Sequence, residues 1–130
     1  MKVSVLGTGA WGTTLAQVLV DAGHETIMWG RNSAVVDEIS TGHTNEKFLP
    51  GIQLPNSSKA TTSIADALTE ADAAVIAVPA QALRENLRSW KAHLDPELPL
   101  ISTLKGIEVG TDARMTQVMM DELGISTSTI

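Results

Sequence analysis

The sequence predicts an α/β domain in which a doubly wound, mostly parallel sheet carries helices on both faces. Three observations lead there. Short apolar runs alternate with segments of helical period along the whole chain, and a glycine-rich turn joins the first run to the first helix. The third is Ala73 to Val78, a continuous apolar run halted by Pro79, which suits a strand buried on both sides of a parallel sheet.

Lys2 to Leu6 reads as the first strand, rich in valine and leucine and stopped by Gly7. The spacing of Leu15, Ala16, Val18, Leu19 and Ala22 predicts a helix from Trp11 to Ala22, with Gly23 as its left-handed stop. Thr26 to Trp29 is the second strand, ending at Gly30 and Arg31. Ser33 is the expected cap of a second helix through about Ser40, its inward side formed by Val35, Val36 and Ile39. Glycine, proline, asparagine and serine mark Thr41 to Ser58 as an excursion, with Phe48, Leu49, Ile52 and Leu54 expected to tuck it against the domain.

A short strand is expected near Lys59 to Thr62, then a brief helix capped by Ser63 and carrying Ile64, Ala67 and Leu68. Beyond the central run, Leu83, Leu87, Trp90 and Leu94 form one helical stripe, broken by Pro96 and Pro99. Leu100 to Leu104 reads as the next strand, and Met115, Val118, Met119 and Leu123 line a last helix ending at Gly124. Ile125 to Ile130 resembles the start of a further strand, so the chain is expected to be a piece of a longer one. No internal repeat or low-complexity tract interrupts this order.

The 130 residues suit one domain, with 43% hydrophobic and 18% charged content. Net charge is −6, which disfavours nucleic acid as a partner, because such binding relies on lysine and arginine neutralising phosphates. The absence of cysteine excludes disulfides and thiolate metal sites. His24, His43 and His93 are scattered without ligand spacing, so no metal is expected. No run approaches the roughly 18 apolar residues of a membrane span, and no signal-peptide layout opens the chain, making a cytoplasmic protein without membrane insertion the expectation.

Gly7-Thr8-Gly9-Ala10-Trp11-Gly12 fits G-x-G-x-x-G between a strand and a helix, the context that gives this motif its meaning. Gly7 permits the tight turn, Gly9 lets a pyrophosphate approach the backbone, and Gly12 lets the helix pack closely on the strand. The free N–H groups of that helix start, reinforced by its dipole, then hold the diphosphate. A Rossmann-type dinucleotide-binding domain over residues 1–130 follows. About twenty residues after the last glycine such domains often place an acid on the ribose. Here Gly30-Arg31-Asn32 stands instead, and an arginine pairs with a 2′-phosphate, which favours NADP(H) and leaves NAD(H) open. Trp11 either covers the cofactor or packs on its neighbours, whereas Trp29 and Trp90 read as packing residues. Lys105 should project at the carboxyl edge of the sheet, where open α/β sheets bind ligands, although a lysine before glycine is by itself more often a surface residue. Asp66, Asp72 and Asp95 show no pairing that would imply carboxylate catalysis.

The glycine loop with its tryptophan, Trp29-Gly30-Arg31, Asn45 with Phe48-Leu49-Pro50-Gly51, Val78-Pro79 and Lys105-Gly106-Ile107-Glu108 form a series. In that order it resembles the amino-terminal domain of bacterial NAD(P)-dependent glycerol-3-phosphate dehydrogenases, over essentially all of the chain. The resemblance implies cofactor contacts at Ala10, Trp11 and Arg31, and contacts to both cofactor and substrate at Lys105. The family commonly has serine where Ala10 stands, a change that removes a hydroxyl but keeps the backbone N–H. It further implies hydride exchange between dihydroxyacetone phosphate and sn-glycerol 3-phosphate, a phospholipid precursor. A second, acid/base lysine belongs to a later helical domain, so no catalytic residue is expected within this chain, and a homodimer is left open for the complete enzyme. Two competitors stand beside this reading. One is a ketopantoate reductase or hydroxyisobutyrate dehydrogenase, which Lys105-Gly106 and the Phe-Leu-Pro-Gly stretch oppose. The other is a non-catalytic NAD(H)-sensing module.

Overall fold

The computed structural model describes residues 1–126. In chain order its elements are β1 (Lys2–Leu6), α1 (Ala10–Asp21), β2 (Glu25–Trp29), α2 (Ser33–Asp37), β3 (Thr44–Asn45), β4 (Leu49–Gln53), β5 (Lys59–Thr61), α3 (Ile64–Leu68), β6 (Ala73–Ile76), α4 (Leu83–Trp90), β7 (Leu100–Ser102) and α5 (Met115–Leu123). The further strand expected from Ile125 falls largely on positions 127–130, outside the described residues; Ile125 itself packs against the core.

Five strands make one wholly parallel sheet in the order β5-β2-β1-β6-β7. The chain builds outward from β1 to one edge and returns to build toward the other. The strand order therefore reverses between β1 and β6, the place where sheets of this kind open a crevice at their carboxyl ends. Register and side-chain alternation divide the core in two. Leu6 pairs with Trp29 and Ile76, and this row faces α3, α4 and α5. Val5 pairs with Met28 and Val75, and this row faces Ala16 of α1 and Val35 of α2. All four residues of β6 are buried, as expected of a strand covered on both faces. The stripe read on α4 is core: Leu83, Leu87 and Trp90 are fully buried, and Leu94 packs beside them. Trp90 meets Trp29 edge to face at 5.0 Å between centroids, tying α4 to the end of β2.

Several local expectations need correction. α2 is capped by Asn32 and not by Ser33: the Asn32 side-chain oxygen accepts from the N–H groups of Ala34 and Val35. Past α2 the chain widens into a π-helical turn over Glu38–Gly42 that ends on a left-handed His43. The excursion is structured, because β3 and β4 pair antiparallel as a small separate ribbon. Leu54 is buried and Leu49 packs on the core, but Phe48 and Ile52 remain exposed. The central run leaves regular pairing after Ile76, and the last strand ends at Ser102, before Leu104. Both strands shed their ends where the crevice opens. Ser63 caps α3 as expected, and Gly23 and Gly124 adopt the left-handed conformation expected after α1 and α5.

Candidate functional site

The glycine loop leaves the carboxyl end of β1 beside the end of β6. Gly7 has φ of +140°, and a Cβ there would stand 2.5 Å from the carbonyl oxygen of Ala77. A side chain on Gly12 would collide with the Gly7 carbonyl, so this glycine sets how closely α1 approaches the sheet. Gly9 differs from both. Its backbone is ordinary (φ −70°, ψ 178°), and a Cβ would meet nothing within 4 Å. Gly9 is the N-cap of α1 and offers no side chain to the first-turn N–H groups. These orphan donors, at the positive end of the helix dipole, are available to an anion.

From the small ribbon, buried Asn45 reaches under this loop. Its Nδ2 donates to the Thr8 carbonyl and to Thr13 Oγ1, both at 2.9 Å. The ribbon is itself tied down, with Glu38 Oε1 accepting from Thr44 Oγ1 and from the Glu46 N–H. Gly30 completes the loop's surroundings, since any Cβ there would run into the Thr8 side chain.

A cleft of about 750 Å³ opens over the loop at the point of strand reversal. Gly7, Gly9, Ala10, Trp11, Arg31 and Lys105 all line it; Gly12 does not, being buried inside α1. Trp11 is 58% exposed at its mouth, with no packing cluster around it. Trp29 serves both core and cleft wall. Three of the nine lysines and arginines, Arg31, Lys47 and Lys105, line the cleft, whereas no described carboxylate does. In a chain of net charge −6 this concentrates positive charge at one place, and low-dielectric walls strengthen it there. A dinucleotide fits such a cleft: open space above Gly9 for the pyrophosphate, apolar Val78 and Pro79 in its wall, and Arg31, Lys47 and Lys105 in its lining. Among the described residues no group of three His, Asp or Glu comes together to hold a metal.

Two features on α4 and just before it were not evident in the sequence. Asn86, buried, accepts from Arg31 Nε at 3.2 Å and Nη2 at 2.8 Å. One signal for it was present, because Asn86 sits on the apolar stripe between Leu83 and Leu87, where a polar residue needs a partner. The second is a clamp on the segment that follows Lys105. Gln81 donates to the Ile107 carbonyl and accepts from the Val109 N–H, at 2.8 and 2.9 Å. Arg84 grips Glu108 with two bonds and reaches Glu122 of α5 with a third. The hydrogen bond from Arg84, joined by that from Thr111, holds the Glu108 carboxyl down at about 2. Glu122 is lowered too, by bonds from Arg88 and then Arg84.

Strand order, glycine loop and cationic cleft together define a dinucleotide-binding domain of the Rossmann type. Within that class the chain belongs to a particular family, since residues 2–130 match the model of the NAD-dependent glycerol-3-phosphate dehydrogenase N-terminus. Glycerol-3-phosphate dehydrogenase [NAD(P)+] from Thermobifida fusca is 51% identical over 123 residues, spanning 94% of this chain and 37% of that protein. The enzyme of the same name from Streptomyces griseus is 50% identical over 121 residues, 93% of this chain and 36% of that one. The crystal structure of glycerol-3-phosphate dehydrogenase from Coxiella burnetii superposes with a TM-score of 0.87 at 30% identity, over 95% of this chain and 38% of that one. The chain thus spans a little over a third of the length of its relatives. These relatives favour the glycerol-3-phosphate dehydrogenase reading over both competitors. No described helix is long and apolar enough to cross a membrane.

Proposed function

We propose that this chain is the cofactor-binding domain of a cytoplasmic enzyme that interconverts dihydroxyacetone phosphate and sn-glycerol 3-phosphate, feeding phospholipid synthesis. The observation that carries the reading is the cleft: cationic in an acidic chain, and open above Gly9 where a pyrophosphate would lie. Backbone N–H groups of the first turn of α1 hold the diphosphate, and Asn45 keeps the loop in the shape that presents them. Arg31 faces the adenosine ribose and favours NADP(H) by pairing with its 2′-phosphate. Trp11 at the mouth covers the bound dinucleotide. When bound, the nicotinamide supplies or accepts the hydride. Lys105, held by its clamped segment at the carboxyl edge, orients the phosphorylated substrate and polarises its oxygen. Proton exchange falls to a second lysine in a helical domain outside these 130 residues.

The test is NADPH oxidation by the complete protein with dihydroxyacetone phosphate, run beside ketopantoate and a 3-oxo acid. Turnover of the phosphate ester alone is expected, and turnover of an acid in its place overturns the reading. The 130-residue chain by itself should bind NADPH without turning over.

A further inference from the structure

We propose that Asn86 is a positioning residue for cofactor choice: it holds the Arg31 guanidinium at the adenosine end of the cleft, so that the site selects NADP(H) over NAD(H). The inference rests on the reading of Arg31 given above. It starts from the unusual placement of an amide on the buried side of α4, where Asn86 is 3% exposed. Nothing about packing asks for a polar group there. Its amide has a single consistent orientation. Nδ2 donates to the Ala82 carbonyl at 2.9 Å, and a carbonyl can only accept, so Oδ1 must face Arg31, whose guanidinium can only donate.

One oxygen thus takes both Nε and Nη2 of Arg31. A guanidinium carries five donors, so three stay available for an incoming phosphate. Arg31 is otherwise a solvent-facing side chain, 55% exposed, and it forms an ion pair with Glu85 at 3.8 Å, itself 81% exposed. An exposed pair of that length does little to fix a long side chain. The buried amide does more, because its own position is set by α4 and by Ala82. Arg31 is therefore ordered before the cofactor arrives, and the rotamer entropy that a free arginine would lose on binding a 2′-phosphate is largely removed beforehand. NAD(H) lacks that phosphate and gains nothing from the arrangement, so the effect appears as discrimination between the two cofactors.

The experiment is a double-mutant cycle on the complete protein, with dissociation constants for NADPH and NADH measured by fluorescence titration on wild type, Asn86→Leu, Arg31→Ala and the double variant. Asn86→Leu should weaken NADPH about three- to tenfold, with NADH changed less than about twofold. In the Arg31→Ala background the same change should leave the NADPH to NADH ratio unaltered. NADH affinity reports the integrity of the site in every variant, and Asn86→Ala, smaller and without the acceptor, serves if the leucine variant does not fold. If Arg31→Ala lowers the ratio while both Asn86 variants keep it, the positioning role is wrong and the reading of Arg31 survives. If Arg31→Ala leaves the ratio unchanged, both fall. A ratio that Asn86→Leu lowers equally with and without Arg31 also overturns the proposal.

Discussion

Arg84 and Glu108 meet in a two-bond fork, Nε to Oε1 at 2.7 Å and Nη2 to Oε2 at 2.8 Å, joining the start of α4 to the segment just past Lys105. Planar fork-to-carboxylate pairing is the strongest geometry an arginine offers, and here only 23% and 14% of the two side chains is exposed. Further bonds fold the segment back on itself. The Glu108 N–H donates to the Ala113 carbonyl, and the Asp112 N–H to the Glu108 carbonyl. Lys105 is therefore carried by a loop whose far side is fastened to the helix bearing Asn86.

The fork gives an acid dependence with a definite sign. Glu108 titrates at about 2 in the folded chain against an ordinary 4.5, so the unfolded chain binds its proton first as pH falls. The stabilisation is complete above 4.5, declines as pH drops through that value, and is nearly gone at about 2. Thermal midpoints of wild type and Glu108→Gln, compared from pH 7 down to pH 2.5, should converge as the pH falls. A gap that stays constant over that range would show that the carboxylate contributes nothing through its charge.

The structural role of Gly7 and the binding role of Gly9 separate by substitution. Gly7→Ala places a methyl group against the Ala77 carbonyl on a backbone at φ +140°, and should destabilise the fold by about 1 to 3 kcal/mol or more. In Gly9→Val the added Cβ meets no neighbouring atom within 4 Å and the backbone is a permitted one, so its melting temperature should move far less than that of Gly7→Ala. Its branched side chain does fill the space above the helix start, and NADPH affinity should fall at least tenfold. Melting curves and calorimetric titrations of both variants decide this; retained binding in Gly9→Val would remove the pyrophosphate from that position.

Much of this was legible in the sequence because it depends on local pattern. Apolar runs, helical stripes and glycine spacing specified the alternation, the parallel sheet and the loop. What was not legible depends on contacts between distant segments. Asn45 is 37 residues from Thr8, and Arg31 is 55 from Asn86, and no periodicity reports such a meeting. The exposure of Phe48 and Ile52 was missed for a related reason. Apolar residues in an excursion suggest burial, but the β3–β4 ribbon turns Leu49 inward, buries the nearby Leu54, and leaves Phe48 at the rim of the cleft.

Asn45 supplies a third prediction. Its removal leaves the Thr8 carbonyl and Thr13 hydroxyl short of a buried donor, at a cost of about 1 to 3 kcal/mol. Asn45→Ala should lower the denaturation midpoint accordingly and weaken NADPH and NADH alike, because both use the same pyrophosphate loop. A loss confined to one cofactor would mean that Asn45 acts elsewhere than through Thr8.

The last prediction concerns Lys105 in the complete protein. It lines the cleft at the end of β7, on a loop fixed by Gln81 and by the Arg84–Glu108 fork. In the function proposed above Lys105 meets the phosphorylated substrate, and its truncation removes roughly 1.5 to 3 kcal/mol for each charge-assisted bond to it, a factor of about ten to a hundred. The dinucleotide keeps the glycine loop and Arg31, so Lys105→Ala should lower kcat/KM for dihydroxyacetone phosphate by at least tenfold while NADPH affinity falls only a few-fold. Gln81→Ala, which loosens the loop without touching the cleft, should lower the same constant by a smaller factor. Steady-state kinetics and a parallel NADPH fluorescence titration on both variants provide the measurement. If NADPH binding collapsed in Lys105→Ala while the substrate constants held, Lys105 would serve the cofactor alone, and the clamp would have to be explained by what it does for the dinucleotide.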